Sequence, residues 1–341
     1  MKIAHSVIVT PHRCGLYETA RELVEAERRL GFDARIVDPV GKKEAEDRSV
    51  PCMLSDWAKD ADVLVNHSGF NAELERVDVP VIHVAHGIPR SSFLLELGNQ
   101  QKIYTYLYSR NTQDKIKAVV TFWPEYKEYF ELLMPDKPVV VVPPSVDLNT
   151  WTPSGLGGYD FGGMKGDINV ICPDVWREGY DPFHVVNAFL LFALQHPEIN
   201  AKLHIYGASK NRRGWDTLFQ IAKDIGCLGE IHGWVSGLWN VYRAADIAIT
   251  QHRVASRGVR ESLACGSTLV AATGNQFTPY TAAPENLQEY ADEIYKAATN
   301  LLPASYNRRV AEREFNPTRT ATEMLEVIKQ YGSRRRKTHT N

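Results

Sequence analysis

Residues 244–272 read AADIAITQHRVASRGVRESLACGSTLVAA, and the rest of the chain can be read outward from them. Residues 247–250 form a short apolar run of the kind that becomes a buried parallel strand, and a second such run closes the stretch. Between them lie a polar loop and the segment 259–265, which predicts a short helix closed by Gly266. Strand, loop, helix and strand make the unit of an open parallel sheet, whose ligands collect at the carboxyl ends of the strands. Glu261 is expected on the first helical turn, beside such a strand end. A carboxylate there can accept two hydrogen bonds from a ribose diol, while N–H groups of the loop and helix start face phosphate oxygens. It can equally serve structure alone, by complementing the helix macrodipole.

The same alternation extends in both directions. In the first half, β-branched runs at 3–9, 34–37, 63–67, 79–85, 119–122 and 139–142 predict strands separated by helices. The clearest helix spans 16–30, where Leu16, Ala20, Leu23, Ala26 or Glu27, and Leu30 recur at three- and four-residue spacing and Gly31 is placed to cap it. Residues 145–166 hold six glycines and neither period, which reads as an interdomain linker. Alternation then resumes with strands at 168–172, 202–206 and 230–233 and helices at 182–195, 215–225 and 238–245. The expected organisation is an α/β chain of two Rossmann-like domains, 1–147 and 167–316, joined by 148–166 and facing across a ligand cleft. Three helices, at 287–302, 306–315 and 317–331, close the chain before the basic tail 333–341. Arg334–Lys337 in that tail reads as a solvated end.

Composition agrees with two ordinary domains. The chain has 341 residues, 44% of them hydrophobic and 23% charged, with a formal net charge of −2. That balance excludes a uniformly basic polyanion binder and a disordered chain. Five cysteines stand singly, without the paired spacing of a disulfide framework or a zinc site, so a reducing cytoplasm is expected. The N-terminal run is too short for a signal h-region, and no run approaches the roughly 18 apolar residues of a membrane span. There is no helical His pair at zinc-binding spacing, so no metal site is expected.

Five segments together resemble one family: KIAHSVIVTPHRCG, VPVIHVAHG, VVVVPPSVDLNTWTP, the run from INVICPDVWREGYDPFHVVNAF to KLHIYGA, and the stretch quoted first. Their order is similar to that of GT-B glycosyltransferases of the retaining type, which include bacterial mannosyl- and glucosyltransferases. The resemblance implies a GT-B fold whose last helix, 317–332, crosses back to the first domain. It also implies transfer of a sugar from a nucleoside diphosphate donor to an acceptor hydroxyl, with retention, without a metal and with no cofactor beyond the donor itself.

It further implies roles for particular residues. His86, at the strand end beside Gly87, stands where similar enzymes hydrogen-bond the transferred sugar, whereas His83 lies within the strand and reads as core. Gly15, in the loop TPHRCG, would let the backbone approach the diphosphate, and Arg13 of that loop would face the acceptor. The family places an Arg and a Lys against the leaving diphosphate to stabilise its developing charge. Here Pro173 and Glu178 occupy those places, leaving Arg177 and the loop with Lys210, Arg212 and Arg213 to supply positive charge. Glu261 matches the second carboxylate of the family's E-x7-E signature, but Arg253 stands where the first would be. The nucleotide half of the motif is thus kept and the sugar-reading half altered, with the loop 252–257 as the substitute donor contact. Trp234, after Gly233, would line the base pocket or simply sit in the core.

Arg13, Arg90, Tyr104, Tyr106, Tyr108 and Arg110 mix cations and rings on the expected acceptor side. Such mixtures suit saccharides, and they also suit DNA, where Arg meets phosphate and rings meet bases. A hydroxymethylated base in DNA is therefore a second acceptor class beside a saccharide. Two further readings keep the donor site without transfer: a nucleotide-sugar epimerase, and a binding protein that has lost turnover.

Overall fold

The computed structural model describes residues 1–7, 15–38, 52–53, 60–67, 78–87, 114–155, 159–174, 182–207, 215–233, 235 and 237–332. The chain divides into two compact units: Met1–Ser145 together with Asn316–Asn341, and Val146–Phe315.

Among the described residues, the first unit has seven parallel strands: β1 (Lys2–Ser6), β2 (Asp33–Asp38), β3 (Cys52–Met53), β4 (Val63–Asn66), β5 (Val81–Ala85), β6 (Ile116–Thr121) and β7 (Val139–Val141). They lie in the order β3-β2-β1-β4-β5-β6-β7. Both faces are covered, so the strands are apolar on both sides, as parallel sheets require. Side-chain alternation sends Ile3, Val65, Ile82, Val84 and Val120 to one face, against α1 (Gly15–Arg29) and the C-terminal helix α9 (Pro317–Tyr331). Ala4, Leu64, Val81 and Val119 turn to the other, where Phe130 of α2 (Lys127–Leu133) packs. α9 thus belongs to the first unit although it follows the second unit in sequence, burying Ala321, Met324, Leu325 and Ile328 there.

Among the described residues, the second unit has six parallel strands: β8 (Ile168–Cys172), β9 (Ala201–Ile205), β10 (Leu228–Ile231), β11 (Ile247–Ile249), β12 (Thr268–Ala272) and β13 (Tyr280–Ala282). Their order is β10-β9-β8-β11-β12-β13. The helices are α3 (Phe183–Gln195), α4 (Trp215–Asp224), α5 (Leu238–Ala244), α6 (Arg257–Cys265), α7 (Leu287–Thr299) and α8 (Ala304–Glu314).

Three sequence expectations need adjustment. β3 and β13, of two and three residues, are too short to leave a periodic signal. Helix α6 starts at Arg257, not 259, because Ser256 caps it by accepting the Val259 N–H. Glu261 is therefore on the second turn. Residues 148–166, expected as a linker, contribute to the second unit's core where described: Trp151 and Phe161 are buried, Phe161 stacks on His204 with ring centroids 3.8 Å apart, and the Tyr159 hydroxyl donates to Glu230 at 2.7 Å. Glycine richness suggested a flexible spacer, but the aromatics between the glycines supply apolar area to bury.

Candidate functional site

In the first unit, the carboxyl ends of three adjacent strands present histidines to one face. Residues of one parity share a sheet face, so His5 on β1, His67 after β4 and His86 after β5 all turn toward α1, with Ile3, Val65 and Val84. His83 has the other parity and is buried on the opposite face, as expected for a core residue. Burial pushes its pKa down to about 4.

The three rings are hydrogen-bonded in sequence. Glu27 Oε2 of α1 lies 2.8 Å from His5 Nε2, His5 Nδ1 lies 2.9 Å from His67 Nε2, and His67 Nδ1 lies 2.9 Å from His86 Nε2. Glu27 and His5 are 0% exposed and His67 is 2% exposed, while His86 is half-buried and meets Phe122 edge-on at 5.2 Å between centroids. His67 is held well below the usual imidazole pKa, first by burial and then by repulsion from His86 and His5. Sequence reasoning found His86 but not the chain behind it. Strand parity would have revealed the shared face, although not the contact with Glu27.

Gly15 is the exposed first residue of α1. Arg13 and Arg90 lie outside the described residues, as do Tyr104, Tyr106, Tyr108 and Arg110.

In the second unit, the ends of β8 and β11 meet the start of α6. Gly258 allows this approach, since a Cβ there would stand 3.0 Å from Pro173 Cγ. Glu261 is buried, and its Oε1 accepts a hydrogen bond from Arg257 Nε at 2.5 Å along the helix. Just past the end of β8 is Asp174, a residue the sequence reading passed over. It is 3% exposed, and it accepts from the Thr250 hydroxyl at 2.6 Å and from the Gln251 N–H at 3.0 Å. His252 Nε2 stands 3.4 Å from the same carboxylate. Its signal was available: an acidic residue just past a strand's carboxyl end, where α/β folds place ligand contacts. Tyr242 reports the local field. Its hydroxyl pKa is raised well above the ordinary value, first by burial and then by Glu261, Cys265 and Asp174.

Arg253 is exposed at the loop's surface. Arg177, Glu178, Lys210, Arg212, Arg213 and Trp234 lie outside the described residues. Among the described residues there is no group of His, Cys, Asp and Glu that could hold a metal, and no helix long and apolar enough to cross a membrane. Cys172, Cys227 and Cys265 are free and buried.

Two parallel sheets of this order, closed by a helix returned to the first unit, form the GT-B fold of glycosyltransferases. Over 96% of this chain and 99% of that one, the structure is similar to HepE from Anabaena in complex with UDP and glucose, with a TM-score of 0.69 at 14% identity. It is similar to sucrose-phosphate synthase from Thermosynechococcus elongatus over 96% of this chain and 98% of that one, with a TM-score of 0.69 at 14% identity. It is also similar to an alpha-glucosyltransferase in complex with UDP and a 13-mer DNA containing an HMU base, over 96% and 99% of the two chains, with a TM-score of 0.64 at 11% identity. No family model matches the chain, and no curated protein matches it in sequence.

Proposed function

We propose that this protein transfers a sugar from a nucleoside diphosphate donor to an acceptor hydroxyl, with retention and without a metal. The observation that carries the reading is the likeness over nearly the whole of both chains to GT-B structures, two of which hold UDP and one of those glucose as well. Glu261, on the second turn of α6, is the ribose acceptor in this reading. Arg177 and Lys210 neutralise the leaving diphosphate, which gains charge as the glycosidic bond breaks. Gly15 admits the diphosphate to the start of α1, Arg253 with its loop meets the donor sugar, and His86 meets a sugar hydroxyl. Arg13 and Arg90 face the acceptor.

A thermal-shift screen with UDP, GDP, ADP and TDP tests the donor half, because a ligand bound only by the native state raises apparent stability. A rise with UDP above the others is expected, and no rise with any nucleotide would contradict the reading. Sugar transfer should persist in excess chelator; full, reversible loss would show that a metal is needed. The intracellular setting expected from the single cysteines belongs to the same proposal.

One observation favours a second acceptor. The likeness to the alpha-glucosyltransferase bound to DNA with an HMU base supports hydroxymethylated duplex DNA beside a saccharide. Transfer to such DNA should fall steeply as salt rises, through counterion release. Transfer to a small glycan with none to DNA at low salt would eliminate it.

A further inference from the structure

The row of imidazoles behind His86 leads to a single buried carboxylate, and with that carboxylate ionised and the rings neutral the row has one self-consistent set of donors. An ionised carboxylate only accepts, so the proton between Glu27 and His5 sits on His5 Nε2. A neutral imidazole has one N–H, which leaves His5 Nδ1 as an acceptor and requires the proton on His67 Nε2. The same step at His67 leaves its Nδ1 accepting from His86 Nε2. His67 is neutral at ordinary pH, because burial disfavours its charged form. We propose that Glu27, His5 and His67 form a positioning relay that presets His86 as the Nε2–H tautomer, so that Nδ1 meets a ligand hydroxyl as a hydrogen-bond acceptor.

The arrangement is poorly explained as a device for stability alone. Apolar residues of similar volume would hold β1, β4 and α1 together at no greater cost than a buried ionic and polar row. Glu27 Oε1 is buried without a hydrogen-bond partner, so the carboxylate is committed through Oε2 to His5 and is otherwise under-satisfied. The row also has a consistent geometry. His5 pairs in register with Val65 and Asn66 with His83, so each step from His5 to His67 to His86 advances two residues toward the strands' carboxyl ends. It runs from the buried core to the sheet edge where α/β folds bind ligands. The ligand class this selects is a polyol or sugar whose hydroxyl donates its proton toward His86. That assignment rests on the sugar-transfer reading above; the tautomer itself does not.

The test is a long-range 1H–15N correlation spectrum of the full chain with 15N-labelled histidine at pH 7.5, assigned by single histidine substitutions. The expected result is that His5, His67 and His86 each carry a slowly exchanging proton on Nε2 and none on Nδ1. Finding His67 or His86 protonated on Nδ1 overturns the relay, and the unsubstituted protein alone decides this. In His67→Phe, which keeps a ring in place, the His86 Nε2–H signal should be lost to solvent exchange while that of His5, held by Glu27, persists. An unchanged His86 signal in this variant also overturns the relay. With a competent donor and acceptor, His67→Phe should lower turnover about tenfold, as expected for loss of one oriented hydrogen bond, with nucleotide affinity unchanged. The relay spectrum without sugar turnover on any donor would leave the tautomer assignment standing and remove the sugar-transfer reading. Turnover with the wrong tautomer would do the reverse.

Discussion

At the scale of single residues, one carboxylate and one histidine give direct tests. Glu261 is buried beside Arg257, a charged acceptor held in one orientation. Glu261→Ala should weaken nucleotide binding by roughly 1.5–3 kcal/mol, the range for a hydrogen bond to a charged group, which calorimetric titration would read as at least a tenfold higher Kd. An unchanged Kd would take Glu261 out of the site. His83 gives a pH dependence. In the unfolded chain its imidazole takes up a proton near pH 6.5, but in the folded protein only near pH 4. Between those values the unfolded state binds more protons, so this stability is complete above pH 6.5 and is lost as pH falls through the window. The loss is about 3 kcal/mol by pH 4, and His83→Gln should flatten the slope of unfolding free energy against pH. A slope unchanged by the substitution would show that His83 is not the titrating group. The sequence offered Glu261 and His86 as candidates because it placed them beside strand ends. It gave Glu27 no role beyond an alternative to Ala26 in the stripe of α1, because the helix period does not say which side chains of the docked sheet a carboxylate will meet.

Elements were more legible than side-chain partners, for a physical reason. Strands of a doubly covered sheet are continuous β-branched runs, and most helices carry a three-and-four-residue period, so 168–172 and 317–331 were read with their observed bounds. The ends of α6 show both success and failure. Its C-terminus was marked by Gly266, which adopts φ +93° and donates its N–H to the Leu263 carbonyl. Its N-terminus was misplaced because the first turn, Arg257 and Gly258, is polar and carries no apolar period. Gly266 also marks a close approach, since a Cβ there would stand 2.7 Å from Ala304 Cβ at the start of α8. Gly266→Ala should therefore destabilise the protein by more than the roughly 1–2 kcal/mol of a left-handed alanine alone, with a lower denaturant midpoint. An unchanged midpoint would mean that neither the cap nor the contact constrains this position.

At the scale of the whole molecule, α9, the last helix among the described residues, is part of the unit that the chain's first residues begin. Met324 is 0% exposed among Ala20, Val24 and their neighbours in the first unit's core. Met324→Ala should cost about 2–5 kcal/mol, as large-to-small core changes do, and hydrogen exchange should quicken in β1, β4 and β5 while β8 and β11 keep their protection. Equal loosening of both units would contradict the division. This organisation was visible in the sequence as two runs of alternation and a final amphipathic helix, whereas the packing of 148–166 was hidden by its glycines. The GT-B architecture leaves open which activity it supports, and that decides the account. The measurement is NMR analysis of product after incubating the protein with UDP-sugars, alone and with saccharide or hydroxymethylated-DNA acceptors. The account predicts that a donor is consumed only when an acceptor is present, and that the new glycosidic bond has the donor's anomeric configuration. Conversion of donor alone to an epimer, or tight UDP binding with no donor consumed across the panel, would contradict it.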